Sequence, residues 1–502
     1  MCEYSTEFPE YSCKEDEYKD GYCIFHCDKE NFTEKEIKEF NKKFWEEFER
    51  QEKDEKEFNF IGFKFHDKIS FLGRKFEKKA DFGGAKFGNL ADFMCVKFIK
   101  GANFGGATFI ERASFMIATF KGANFQDATF TKGANFTDAT FIEQANFQDA
   151  TFTKGANFTD AIFIEQANFQ YATFTKWASF WHTTFIKEAN FMWVVFNNPV
   201  KFIGDEDSWL FDLEIDYKKP LKKKSVTNDL KKIFDKNGFE LFDKAKIIQK
   251  EDKLWNIIGE DRTYKIKETK EEDNTKLEVS ENNKIFKSSA DFSHSNFETP
   301  EKVEFVNVNL SKASFLHCKN IDKISRFEEV VWNSIGKRKA VFDEINAETD
   351  TYKFVAEIYR KLRLNYEQDL RFPEAGDFYI GEMEMRRKNA KFKNKYLDYS
   401  LISLYKIFSH YGENVVLPFL WMIPITFVFA LYYTNFNSIA PVDFVFADVF
   451  KFLENWAKSI MIFFQMPPEQ MTFSIFIERI LGVLFVALFV LALRRKFKKG
   501  GE

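Results

Sequence analysis

The chain has little of what enzymes and secreted domains are usually built from. Its 502 residues include six histidines, which are scattered. No Gly-rich loop that would cradle a phosphate is present, and no Ser/His/Asp or paired-carboxylate arrangement stands out among the 77 acidic residues. Catalysis is therefore not expected. The six cysteines follow no pairing regularity, and residues 1–22 are acidic and polar with no apolar leader. Both features point to a reducing compartment. Charge of one sign is also lacking: 73 basic residues nearly balance the acidic ones, and a net charge of −4 gives no reason to expect a nucleic-acid partner. A last gap is local. No glycine occurs between Gly412 and Gly482.

Phenylalanine, in contrast, occurs 66 times, and a tandem repeat accounts for much of the excess. Residues 126–147 read QDATFTKGANFTDATFIEQANF, and residues 148–169 repeat them with one change, Thr140 to Ile162. The next unit keeps the frame but introduces Tyr171, Trp177 and Trp181. Within this 22-residue period, phenylalanines fall at Phe136, Phe141, Phe147, Phe152, Phe158, Phe163, Phe169 and Phe174, with spacings alternating between five and six, and Phe104 and Phe109 belong to the same core series. Each step reads Ala-polar-Phe. In an extended segment, Ala and Phe two apart share one face while the Asn or Thr between them faces out. Four short sides then close one coil, and coils stack about 4.8 Å apart, so some six coils give a rod roughly 29 Å long with Phe piled on Phe inside. An 11-residue period also suits a helix. Recurrent Gly, Asn and Thr make poor helix, however, and the coil is preferred.

These Ala-(Asn/Asp)-Phe-x-x units resemble the pentapeptide-repeat proteins. The resemblance covers about 130 residues. It implies a right-handed, four-sided β-helix with the central Phe and the preceding small residue inside. The sixth residue in alternate steps departs from the family pattern and implies bulged corners on two of the four sides. Fold and function separate in such families.

Residues 1–31 form a Cys-rich leader. Cys2, Cys13, Cys23 and His26, with Cys27 as the alternate, could supply thiolates and an imidazole to a structural zinc. The competing reading is a set of reduced, partly buried cysteines. The leader is also similar to the one that precedes the repeats in some prokaryotic family members. Over 32–58 a helix is expected, with Thr33 and Glu36 as a capping box and Phe40, Phe44 and Phe48 on the face that covers the first coil.

The main repeat segment spans 59–200. Residues 201–287 read as a Lys-rich insertion holding a small antiparallel sheet and a helix near 226–236. Five-residue steps return over 288–335, as in Ala290-Asp291-Phe292. A helical hairpin follows over 345–395, a unit suited to docking a protein or to oligomerisation.

The C-terminal part, 410–498, reads as a membrane domain. Residues 415–433 carry no charge and are long enough to span, and 473–493 are similar. Basic residues flank the outer sides of the pair, including Arg386, Arg387 and Lys388 before it and Arg494, Arg495 and Lys496 after it, which places both termini in the cytoplasm. Between the spans, 444–464 reads as an amphipathic helix that either lies at the bilayer surface or re-enters. Two spans around such a loop resemble two-transmembrane pore-loop cation channels. The missing glycine excludes a potassium filter of the Gly-bearing kind. Glu478 and Arg479, inside the second span, are a charged pair of functional interest, although both could snorkel.

The resulting expectation is a mainly β protein that is not an enzyme: a membrane-tethered solenoid serving as a protein-interaction module. The alternative is a non-potassium channel or membrane sensor gated by the solenoid. Expected partners are the bilayer, a protein on the solenoid and further copies of the chain. An acidic, DNA-like rod is not expected, since eight acidic residues between 100 and 196 face seven basic ones.

Overall fold

The computed structural model describes residues 17–18, 21–27, 32–54, 56–204, 208–213, 246–251, 254–258, 263–271, 274–281, 285–434, 446–468 and 470–499. Between 208 and 281, and at 446–448 and 496–499, only the backbone is described. Two compact units result. The first holds residues up to Ser334 together with Val341–Asp343, and the second holds Ile335–Ala340 and the chain from Glu344 onward.

The first unit is a parallel β-solenoid. Two-residue strands stack into three long sheets of nine, eight and nine strands and a shorter one of six. The register is one coil per step, so Ala134 pairs with Ala156 and Phe141 with Phe163. The chemistry of the repeat accounts for each corner. Asn135 Oδ1 accepts from Thr137 N at 3.1 Å. Ala139 N donates to Phe136 O at 3.1 Å, closing a tight turn through Asp138 at φ +57°. Asp tolerates this left-handed conformation better than most side chains. Such residues recur every 11 positions at Asp127, Asp138, Asp149 and Asp160, marking two of the four corners. The other two corners take the sixth residue.

All ten phenylalanines named above, from Phe104 to Phe174, are at most 1% exposed. Phe136 stacks on Phe158 of the next coil at 4.9 Å with planes 1° apart. It meets Phe147 of its own coil edge-on at 5.4 Å and 89°. Offset stacks and T-shaped contacts each add about 0.5–1.5 kcal/mol beyond the burial of apolar area. Outside, a ladder of amides runs between coils, with Asn168 Nδ2 donating to Asn146 Oδ1 at 3.1 Å and Asn124 Nδ2 to Asn103 Oδ1 at 2.9 Å.

A capping helix, Glu34–Lys53, closes the N-terminal end. Its capping box is formed by Thr33 and Glu36. Phe44 lies 5.4 Å from Phe60, and Phe48 lies 5.2 Å from Phe58. The solenoid leaves its track after Ile203 and returns in register, with Ala189 paired to Ala290 and Val200 to Val303. Five antiparallel strands occupy the intervening segment, in the order Ser208–Leu213, Asn274–Glu281, Thr263–Glu271, Leu254–Ile258, Lys246–Glu251. The helix expected near 226–236 lies outside the described residues. At the last coil, Asp343 accepts from Ser314 Oγ at 2.6 Å and from Phe315 N at 3.0 Å.

The second unit is helical. A hairpin of Tyr352–Gln368 and Phe372–Phe392 is followed by a connecting helix, Tyr396–Ser409. Three helices complete it: a first apolar helix Val416–Thr434, an inner helix Phe446–Phe463 and a last helix Phe473–Lys499.

Candidate functional site

Three regions carry polar or aromatic chemistry beyond what the coil itself requires. The first is the N-terminal cluster. Cys23 Sγ lies 3.1 Å from His26 Nδ1, and His26 Nε2 donates to Ile61 O at 2.9 Å. That bond leaves Nδ1 as the acceptor, facing the thiol. Cys27 is buried nearby, and its backbone N–H donates to Cys23 O at 3.0 Å. Cys2 and Cys13 lie outside the described residues. Among those described, no group of three or more His, Cys, Asp or Glu side chains is arranged to hold a metal.

The second region is one corner of the solenoid. Its left-handed positions are Asp127 and Asp149 in the near-identical coils, then Tyr171, Trp193, His294 and His317 in succession. These rings form a column. Tyr171 and Trp193 lie 6.2 Å apart, Trp193 stacks on His294 at 4.1 Å and 7°, and His294 on His317 at 4.7 Å. Burial and the neighbouring His317 lower the His294 pKa, against the pull of Asp291. Tyr171, Trp177, Trp181 and Trp193 are 44–50% exposed. The repeat frame does not demand aromatics here, since Asp serves the same corner two coils earlier. Elsewhere the surface charges are paired across coils: Lys121–Glu143 at 3.5 Å, Lys187–Glu165 at 3.0 Å and Lys132–Glu111 at 3.8 Å.

These coils match the family described as pentapeptide repeats (9 copies) over residues 118–162 and 154–192. Residues 118–192 are pentapeptide repeats. It is also 28% identical over 167 residues to an uncharacterized protein of Methanocaldococcus jannaschii, a match covering 32% of this chain and 34% of that one. The chain thus spans about a third of the length of the relative it matches. No solved structure matches it.

The third region lies among the three C-terminal helices. Val416–Thr434 and Phe473–Arg495 are long and apolar enough to cross a membrane, and only 22% of each span is buried. The inner helix runs back along both. Asn455 Nδ2 donates to Thr434 Oγ1 at 3.1 Å near the end of the first apolar helix, and Trp456 Nε1 to Thr426 Oγ1 at 3.2 Å nearer its middle. Phe463, at the far end of the inner helix, packs with Met422 and Phe485. The fit is close enough that a Cβ on Gly482 would come within 2.0 Å of Phe463 O. The chain then turns at Gln465, φ +68°, and returns to the start of the last helix.

Glu478 and Arg479 are adjacent in sequence but do not pair. Consecutive helix positions lie about 100° apart around the axis and face different surroundings. Glu478 is fully buried and accepts from Tyr433 Oη at 2.7 Å, with Ser459 Oγ as its second partner. Arg479 turns outward, its Nε donating to Gln465 Oε1 at 3.2 Å. Sequence reading did not single out Tyr433 or Ser459. The available signal was a hydroxyl within each neighbouring apolar segment, opposite the one carboxylate of the last.

Sequence reading also passed over an ion-pair cluster around Glu384. Burial raises its pKa, but hydrogen bonds from Lys406, Arg387 and Tyr411 outweigh that and bring it down to about 2. Lys406 Nζ lies 2.7 Å away, Arg387 Nη2 2.8 Å and Tyr411 Oη 2.8 Å. These contacts tie the hairpin to the connecting helix.

Proposed function

We propose that the protein is a membrane-anchored, non-enzymatic interaction scaffold that presents the pentapeptide-repeat solenoid in the cytoplasm. The observation that carries this reading is the exposed column Tyr171–Trp193–His294–His317. Aromatic side chains replace aspartate there in a conformation that bulky residues avoid, and exposed aromatics are the residues most enriched at protein contacts. The across-coil pairing of lysines with glutamates argues against an acidic, nucleic-acid-like rod.

Anchoring is supported by the exposed apolar surface of the two long helices, which a buried core pair would not leave uncovered. The connecting helix adds to it. Leu397, Leu401, Leu404 and Ile407 are 45–73% exposed at helical spacing, as on a helix lying at a bilayer surface. The lysine- and arginine-rich flanks support an orientation with both termini inside.

The test is photo-crosslinking in cells, with a benzophenone amino acid placed at Tyr171, Trp193 or Asp138. A defined protein adduct from the first two and none from Asp138 is expected. Equal or absent labelling at all three would remove the column as the contact.

A second reading has its own observation. The inner helix carries Lys451, Glu454 and Lys458 on the side away from both spans, with Glu454 and Lys458 paired at 3.1 Å and largely exposed. At membrane depth such charges face protein or water rather than lipid, which fits several copies enclosing an aqueous path. Ion flux through the full-length protein in liposomes, lost on reversing the Lys458 charge, would favour that reading.

Cys23 and His26 are also proposed as two ligands of a structural zinc, completed by Cys2 and Cys13. A ring nitrogen tied to a backbone carbonyl, as His26 Nε2 is to Ile61, is the usual support of a ligating histidine.

A further inference from the structure

Glu478 lies where a carboxylate is costly, and counting protons around it gives its state. Ser459 Oγ lies within hydrogen-bonding reach of both Thr426 O, at 2.9 Å, and Glu478. A serine hydroxyl has one proton, and a backbone carbonyl only accepts. If Ser459 donates to Thr426 O, it must accept from Glu478, so the proton on that contact belongs to the acid. Tyr433 donates its own proton to the other carboxyl oxygen at 2.7 Å. The chain Glu478 O–H to Ser459 O–H to Thr426 O, with Tyr433 O–H to Glu478, satisfies every donor without placing a charge in the bundle. An ionised Glu478 would instead compete with Thr426 O for one proton. It would also be a buried anion without a counter-ion, a costly state.

The surrounding charges do not alter this. On the first apolar helix the group facing Glu478 is Tyr433. On the inner helix it is Ser459, while Glu454 and Lys458 pair with each other on the exposed side. On its own helix, Arg479 is engaged with Gln465. Among the described residues, no cation enters the cluster.

We infer that Glu478, Ser459 and Tyr433 form a proton-binding site inside the membrane segment, held as the neutral acid when the three helices are packed. One residue comes from each helix, so proton occupancy is coupled to their junction. Loss of the proton places a charge at the point where the inner helix is fastened to both spans. The inference rests on the membrane reading of these helices and goes beyond the scaffold.

The test uses the full-length protein in liposomes and a hydrophobic fluorescent carbodiimide. A protonated carboxyl adds across the reagent's N=C=N group: the carboxyl oxygen bonds to the central carbon, the proton passes to nitrogen, and nothing leaves. Labelling mapped by mass spectrometry should fall on Glu478, decrease as pH rises and vanish in Glu478→Gln. Tyr433→Phe removes a donor that would stabilise the anion, so its labelling should persist to higher pH. Absence of Glu478 labelling at every pH would overturn the site. Suppression by sodium at constant pH would also overturn it, in favour of a metal-cation site. Flotation of the same liposomes reports insertion separately, so a failure of the membrane reading is distinguishable from a failure of the site.

Discussion

Ala189 pairs with Ala290 in the same parallel register in which Ala167 pairs with Ala189, although the chain leaves the coil between them. The stacked phenylalanines hold this register on both sides of the excursion, with Phe191 on Phe292 at 5.1 Å and 4°. A solenoid is stabilised coil by coil, so each coil needs only matching neighbours. Deleting one full period, residues 148–169, should therefore give a folded protein whose circular dichroism per residue is unchanged and whose melting temperature falls only modestly. Deleting residues 148–150 alone should unfold or aggregate it, because the corner from Phe147 to Ala150 is removed and the following phenylalanines lose register with the coil before.

Within the column, Trp193 occupies a left-handed position that Asp149 fills two coils earlier. Trp193→Asp restores the frame residue and should leave thermal stability within about 0.5 kcal/mol of the parent, the range of ordinary surface substitutions. The adduct from a benzophenone probe at Tyr171 should disappear. A large stability loss would instead mark Trp193 as structural.

The Glu384 cluster sets an acid limit on the helical unit. Glu384 has a pKa of about 2 in the folded state against an ordinary 4.5. The stability it contributes is therefore fully present above pH 4.5 and is lost as pH falls toward 2. Melting of the full-length protein in detergent, followed from pH 7 to pH 3, should show this decline, and Glu384→Gln should flatten it while lowering stability at neutral pH.

Gly482 faces Phe463 too closely for a side chain. Gly482→Leu should destabilise the three-helix packing by about 1–3 kcal/mol, the usual cost of overpacking, read as a lower melting transition in detergent. The solenoid transition should not move.

Zinc analysis of purified protein should give one metal per chain, lost in Cys23→Ser and in His26→Ala. Retention in both variants would leave Cys23 and His26 as a thiol–imidazole hydrogen bond alone.

Much of this architecture was legible in the sequence, for identifiable reasons. The solenoid repeats one local rule, so the alternation of Ala and Phe fixes sides, facing and stacking at once. The capping helix was legible because Thr33 and Glu36 form a local signal. The aromatic column was not. Tyr171, Trp193, His294 and His317 become neighbours only when coils stack, and the last two lie beyond an insertion that interrupts the period. Glu478 was visible as a charge within a span-length apolar run, but its partners Tyr433 and Ser459 are 45 and 19 residues away in sequence. The connecting helix Tyr396–Ser409 was missed for another reason: its apolar face is uncovered, so it offers neither core packing nor a span-length run.

Anchoring of the solenoid to a membrane is the claim on which the rest depends, and it can be measured directly. Full-length protein carrying an N-terminal tag should remain in the membrane fraction after alkaline carbonate extraction. In inside-out vesicles, added protease should remove the tag and leave a protected fragment containing residues 473–493. Release of the intact chain into the carbonate supernatant would contradict the account, and so would protection of the tag in inside-out vesicles.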